Sequence, residues 1–421
     1  MLTRRTFLKA GSALTVAGLA LPAYSQTKSL KIGYVSPQTG PLSGFSTADG
    51  FMVRQFREAA PRLGLDVEVI VKDSQSNPNR AAEVARELIT RDGVNLLLVS
   101  STPETTNPVC SVGESEEIPV ISTVAPWQSW FIGQQGDPAK SESWHEFDYA
   151  YHFFWGLEDN AAVFMNMWKA IETNKSVGAL WPNDGDGNAW ASDAGLPPLI
   201  EPAGYKLTDL GRYQNLTDDF SAQINAFKKA EVEILTGIPI PPDFTTFWAQ
   251  ARQQGFKPKI VSVAKALLFP ESVAALGETG HNLTCEVWWS PAHPFRSSVT
   301  GQSAQELAAA FEASAGRQWT QPTGFVHALF EVAVNAIGRC DDPTDGDKLA
   351  AAIAATDMET VVGRVAWGRD NVPGYARKNV SKTPLVGGQW RRKSDGNFDL
   401  VIVENALAPN IPAGGTVEAL A

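Results

Sequence analysis

The chain has 421 residues, 43% hydrophobic and 19% charged, which is long enough for two folded domains with ordinary cores. Its formal net charge is −11, from 35 Lys and Arg against 46 Asp and Glu, with no long basic run; nucleic acid is therefore not an expected partner. Three cysteines (Cys110, Cys285, Cys340) allow one disulfide at most, which excludes a disulfide scaffold, and no cysteine-rich metal spacing is present.

The N-terminus opens on Arg4, Arg5 and Lys9, runs through an apolar core over 10–21, and reaches Ala23-Tyr24-Ser25. The core is too short to span a bilayer, and the small residues suit a cleavage site, so residues 1–25 are expected to be an export signal. Thr3-Arg4-Arg5-Thr6-Phe7-Leu8-Lys9 looks like the twin-arginine type. The expected location is periplasmic.

Leu30 to Val35 alternates as a first strand, followed by a turn-rich loop ending at Gly44-Phe45. Ser46 and Asp49 have capping-box spacing ahead of a helical stripe of Phe51, Met52, Phe56 and Leu63. Leu65 to Val71 is a second strand. Asn77 and Pro78 open a second helix with Ala81, Val84, Ala85 and Leu88 on one face. Val94 to Val99 is an apolar run typical of a buried parallel strand. It empties into Ser100, Ser101, Thr102 and Pro103, then Thr105, Thr106 and Asn107. A strand that meets a helix start through hydroxyls makes an anion site, because the first helical N–H groups lack internal partners. The plainer alternative is that these hydroxyls only cap the helix. Ile118 to Thr123 is a fourth strand, and Trp127 follows it at the same end. The aromatics from Trp127 to Trp155 read mostly as packing.

The pattern then restarts. Helices over 161–171, 220–229 and 247–254 alternate with strands over 176–180, 205–207, 232–235 and 260–263. The expected fold is α/β, two doubly wound parallel-sheet lobes with ligand beyond the carboxyl ends of the strands. A cleft between lobes is a favoured small-molecule site.

At this point the chain resembles the branched-chain amino acid type of periplasmic binding protein, the type I solute receptors of ABC importers. The likeness rests on Ile32-Gly33 leading to Thr39-Gly40-Pro41-Leu42, on Asn79-Arg80-Ala81-Ala82, and on the Ser100–Asn107 turn. Ile118-Pro119-Val120-Ile121-Ser122 and Val362-Gly363…Trp367 also match. The resemblance implies two lobes joined by three crossovers, closing on ligand like a hinge. Lobe 1 is expected over 26–154 and 285–363, lobe 2 over 155–284 and 364–421. It further implies permease and ATPase partners, a monomer, no cofactor or metal, and no catalysis. Position by position, Phe45 falls where an aromatic covers the ligand. Thr105 and Thr106 fall where the ligand carboxylate is held, and Ser101, in the same hydroxyl turn, is expected to join them. Trp127 lies beside a second carboxylate-binding turn, which here reads Ala125-Pro126. Asp186 and Ile240 fall where second-lobe aromatics often sit.

Where the family places an acid for the ligand's α-ammonium, this chain has Ala264-Lys265. A lysine repels an ammonium, so the expected ligand is a small carboxylate without one. Phe45, Trp127 and Trp181 suit a flat or aromatic body. An ordinary amino-acid or amide receptor is the alternative within the family, and a sensor subunit for a receptor kinase would use the same fold. An enzyme is the rival class. His145, His152, His281, His293 and His327 are scattered, and no zincin, nucleophile-elbow or phosphate-loop motif is present. His327 and Glu331, four apart on an apolar helix, read as packed rather than metal-binding.

Overall fold

The computed structural model describes residues 28–137 and 140–420. The export signal expected over 1–25 lies outside the described residues. Two open sheets organise the chain. The first runs Val380–Ser381, Ala150–Phe153, Val120–Thr123, Leu96–Ser100, Lys28–Ser36, Leu65–Asp73, and every neighbouring pair is parallel. Leu96–Ser100 lies at its centre with every residue buried, which is why it reads as unbroken apolar sequence. The strand order reverses between Lys28–Ser36 and Leu96–Ser100, so the loops that leave these strands diverge and open a crevice.

The second sheet repeats the design. Lys206–Thr208, Ser176–Pro182, Ile234–Gly237, Ile260–Val263 and Thr284–Val287 are parallel, and Val386–Arg392 and Phe398–Glu404 add an antiparallel edge. Its reversal lies between Ser176–Pro182 and Ile234–Gly237. The fold is thus α/β with two doubly wound lobes.

The chain passes between the sheets three times: after Phe153, after Val287 and after Ser381. Sheet membership therefore differs from the expected lobe limits at 285 and 364. Thr284–Val287 pairs with Ile260–Val263 in the second sheet. Val380–Ser381 pairs with Ala150–Phe153 in the first. Asn379 fixes that placement. Its amide donates to the carbonyls of Phe147 at 2.8 Å and Ala150 at 2.9 Å, and its oxygen accepts from the Phe147 N–H at 3.0 Å. A two-residue strand carries no readable period, so the sequence gives no sign of this return.

Local signals mostly hold. Asn77 caps its helix by accepting from Arg80 N–H at 3.0 Å, with Pro78 at the first position. The Ser46–Asp49 capping box does not form. Asp49 is buried and accepts from Ser36 Oγ instead, beside Tyr34. His327 donates to or accepts from Ser297 Oγ at 2.7 Å, and Glu331 accepts from the Ser298 and Val361 N–H groups, so this pair is packed and bonded inside the fold. The three cysteines are buried and form no disulfide with one another. No described helix is long and apolar enough to cross a membrane.

Several buried titratable groups give the fold a pH signature. Burial pushes the Asp49 and Glu331 carboxyls up to about 7 and Glu286 up to about 8. Burial pulls His152 and His293 down to about 3 and His327 to about 4. In the unfolded chain acids titrate near 4 and histidine near 6.5. Above about pH 6.5 the histidines are neutral in both states, while the raised acids bind protons only when folded. Stability is therefore expected to fall as pH rises from about 6.5 to about 8. Below that window the histidines oppose the acids. Urea midpoints across the window check this; a rising midpoint contradicts it.

Candidate functional site

A cavity lies between the two lobes. Phe45, Thr102, Val124 and Pro126 come from loops after first-lobe strands. Asp186, Ile238, Lys265 and Leu268 come from loops after second-lobe strands, and Glu286 from the end of Thr284–Val287. Phe154, Trp155 and Trp288 come from the crossovers. Both sheets thus contribute the crevice ends that their strand order predicts.

The lobes touch around this cavity. The Phe45 ring meets Phe269 edge-on at 5.0 Å. Gly44 lies so close to Phe269 that a Cβ there would sit 3.2 Å from its ring. On the other side the Glu104 carboxylate, in the first turn of helix Pro103–Ser115, accepts from the Gly185 N–H. This is a charge-assisted contact from first lobe to second. The cleft is closed.

Two wall residues are held in strained backbone. Val124 has φ 73°, a left-handed value that a β-branched residue rarely takes. His152 props the turn that contains it, stacking on Trp130 at 4.8 Å and bonding Ala125 O at 2.7 Å and Ser122 Oγ at 2.8 Å. Lys265 has φ 60° and ψ −59°, and Ala266 N–H donates to Ala264 O across it at 2.6 Å. That is a γ-turn with positive φ, a rare and costly conformation. Strain of this kind concentrates where a side chain must be aimed at a ligand or partner.

Lys265 is aimed at carboxylates. Its Nζ lies 2.7 Å from Asp186 Oδ2 and 3.3 Å from Asp184 Oδ2, and all three side chains are buried. Asp184 caps helix Gly185–Trp190 by accepting from Gly187 N–H at 2.8 Å. Burial alone would pull the lysine down, but the Asp184 and Asp186 charges outweigh it and hold the ammonium above its usual range. Burial pushes Asp186 up to about 6 against the pull of Lys265. Glu286 rises further because no cation faces it so closely; burial dominates, and the Asp186 charge adds to it.

Of the residues expected at the site, Phe45, Asp186 and Lys265 line the cavity. Ser101, Thr105 and Thr106 sit just behind it and stitch the turn. Thr105 Oγ1 donates to Ser101 Oγ at 2.7 Å, and Thr106 Oγ1 donates to Ser101 O at 2.9 Å. The hydroxyl that reaches the cavity is Thr102, the N-cap residue of the helix, which has no hydrogen-bond partner among the described residues. Trp127 packs at the back of the crossover, donating to Glu158 at 3.3 Å. Trp181 stands against Trp190 at 6.1 Å, and Ile240 begins helix Pro241–Gln253; neither lines the cavity. Glu286, Trp155 and Trp288 were not anticipated. A glutamate between Cys285 and Val287 in an apolar run is the one signal that marked this strand.

A sequence profile for the periplasmic binding protein family matches residues 29–376. The chain belongs to that family. Among curated relatives, the leucine-, isoleucine-, valine-, threonine- and alanine-binding protein of Pseudomonas aeruginosa is 22% identical over 368 residues, covering 85% of this chain and 90% of the relative. A leucine binding protein from Thermotoga maritima superposes with a TM-score of 0.71 at 17% identity, covering 90% of this chain and 99% of that one. An ABC transporter solute binding protein from Rhodopseudomonas palustris BisB5, in complex with 3,4-dihydroxybenzoic acid, gives 0.69 at 16%, covering 90% and 99%. At these identities the structural likeness establishes the fold, and ligand choice rests on the cavity of this periplasmic binding protein itself. Membership implies a periplasmic location.

Proposed function

We propose that the chain is the exported substrate-binding component of an ABC importer and captures a small carboxylate by closing its lobes. It works as a monomer, without catalysis, and delivers ligand to permease and ATPase subunits. Export uses the N-terminal signal, by the twin-arginine route. The closed interlobe cavity carries this reading: it is walled by both lobes and by the first two passages of the chain between them.

Thr102 supports a carboxylate. Its buried hydroxyl faces the cavity at the start of helix Pro103–Ser115, where N–H groups and the helix dipole favour an anion. Phe45, Phe154, Trp155 and Trp288 suit a flat or apolar body. The relatives fit the class, since leucine and dihydroxybenzoic acid are both carboxylates. The expected exclusion of an ammonium loses its basis, because the Lys265 charge is taken up by Asp184 and Asp186.

A thermal-shift panel of the mature chain tests this, with aliphatic and aromatic carboxylates, amino acids, amides and sugars. Ligand at about 100 times its Kd stabilises by about 2.7 kcal/mol, which raises Tm visibly. The proposal expects a carboxylate to give the largest shift. A shift confined to sugars or amides discards the carboxylate. No shift, after unfolding and refolding to strip carried ligand, contradicts the receptor reading.

A further inference from the structure

A groove lies where the third passage of the chain joins the lobes, and it shares no wall residue with the interlobe cavity. Arg364, in strand Gly363–Ala366, and Arg369, just beyond it, form one wall. This stretch is held to the first lobe: the Ala366 N–H donates to Ser381 Oγ at 3.0 Å, and Trp367 Nε1 donates to Asn379 O at 3.1 Å. The crossing segment supplies Lys382, Thr383 and Pro384. The second lobe supplies Asp159, from helix Leu157–Lys169, and Leu407 and Pro409, from the loop after Phe398–Glu404.

The second-lobe loop is fixed. Asn405 Nδ2 donates to Ile411 O at 2.7 Å, the Ala408 N–H to Asn405 O at 3.0 Å, and the Ala406 N–H to Glu404 Oε1 at 2.8 Å. It nevertheless leaves Leu407 47% exposed on the groove wall, with Pro384 and Pro409 on the same wall surface. An ordered apolar face beside a few polar groups is the usual make-up of a small-molecule site.

The polar groups are unevenly matched. Lys382 Nζ is taken up by Glu158 at 2.7 Å and Asp159 at 2.8 Å. Arg364 gives its Nε and Nη2 to Asp357, at 2.6 Å and 2.5 Å, and keeps Nη1 uncommitted. Arg369 forms no ion pair or side-chain hydrogen bond among the described residues. Thr383 is only 5% exposed, yet its hydroxyl has no hydrogen-bond partner among them. The acids around the groove are thus already paired, and what remains are donors: one whole guanidinium, one edge of a second, and a buried hydroxyl that is costly to leave unbonded. A planar guanidinium fork matches a carboxylate.

We infer that this groove is a second ligand site, for a small carboxylate with an apolar body. The carboxylate bonds Arg369, Arg364 Nη1 and the Thr383 hydroxyl, and the body lies on Leu407, Pro384 and Pro409. The site does not depend on what the cleft holds. Its walls come from both lobes, so its occupant is linked to the interlobe angle.

The mature chain, labelled at leucine methyl groups, is titrated with 4-methylbenzoate and with 4-methylbenzyl alcohol and followed by NMR. Leu407 reports the groove and Leu268 the cleft, each assigned by the signal lost in its methionine variant. The carboxylate is expected to shift the Leu407 methyls saturably, at least about tenfold tighter than the alcohol does. Arg369→Glu should weaken that response at least about tenfold and leave Tm unchanged, since the replaced side chain is exposed and has no partner to lose. Arg369→Lys, which keeps the charge without the fork, should fall between the two. No saturable Leu407 shift, equal binding of acid and alcohol, or an undiminished response in Arg369→Glu overturns the inference. Movement of the Leu268 methyls alone puts the carboxylate in the cleft only; that overturns the groove site and leaves the receptor reading standing.

Discussion

Replacing Lys265 by methionine is expected to destabilise the protein by about 3–5 kcal/mol at pH 8, the usual cost of breaking a buried ion pair by removing one partner. The lysine and both aspartates are only 3–4% exposed, so no water replaces the lost cation. Asp186 would be left with no partner on either oxygen. The loss should shrink as pH falls toward 5. Asp186 already titrates at about 6 with Lys265 present, and without it the carboxyl takes up a proton at still higher pH. Urea midpoints at pH 8 and pH 5 measure both parts. An unchanged midpoint at pH 8 would show that the triad is solvated and would remove the reason for the strained turn at Lys265.

Trp288→Ala is expected to have an effect of similar size, about 3–5 kcal/mol, by leaving a cavity where the chain crosses between lobes. Trp288 is 1% exposed. It packs edge-on against Phe154 at 5.1 Å and Phe325 at 5.2 Å, while its backbone N–H, which alanine would keep, donates to Gln321 Oε1 at 2.8 Å. Phe154 belongs to another passage of the chain, so this cluster ties two crossovers together. Trp288→Phe keeps most of the volume and should cost clearly less. Denaturant unfolding compares the two, and equal losses would show that volume at this position does not matter.

The sheet cores were legible because their strands are continuous apolar runs or clean alternations, and the helices between them carry caps and stripes. Leu96–Ser100 and the helix opened by Asn77 and Pro78 are the clearest cases. Val380–Ser381 was not legible, because its place is set by the Asn379 side chain rather than by its own pattern. The site was legible in part. Phe45, Asp186 and Lys265 could be placed because each follows a strand. The hydroxyl turn was found, but which hydroxyl faces the cleft depends on rotamers: Thr105 and Thr106 bond back to Ser101, and Thr102 does not. The role of Lys265 was misjudged at the level of electrostatics. Read alone it is a free cation, yet folding brings Asp184 and Asp186 to it from about 80 residues away in sequence. Glu286 and Trp288 were missed because they belong to a strand and a crossover that hold few turn residues.

A second cavity lies away from the cleft among Met52, Gln55, Phe56, Val299, His327 and Phe330. It allows the most direct test of ligand capture between the lobes. The compound giving the largest thermal shift is titrated by calorimetry against wild type, Phe45→Ala and Gln55→Ala. Phe45 covers the cleft and touches the opposite lobe, so its loss should raise Kd at least about tenfold, while Gln55→Ala leaves Kd unchanged. An unchanged Kd in Phe45→Ala together with weakened binding in Gln55→Ala would place the ligand in the second cavity and contradict capture by lobe closure.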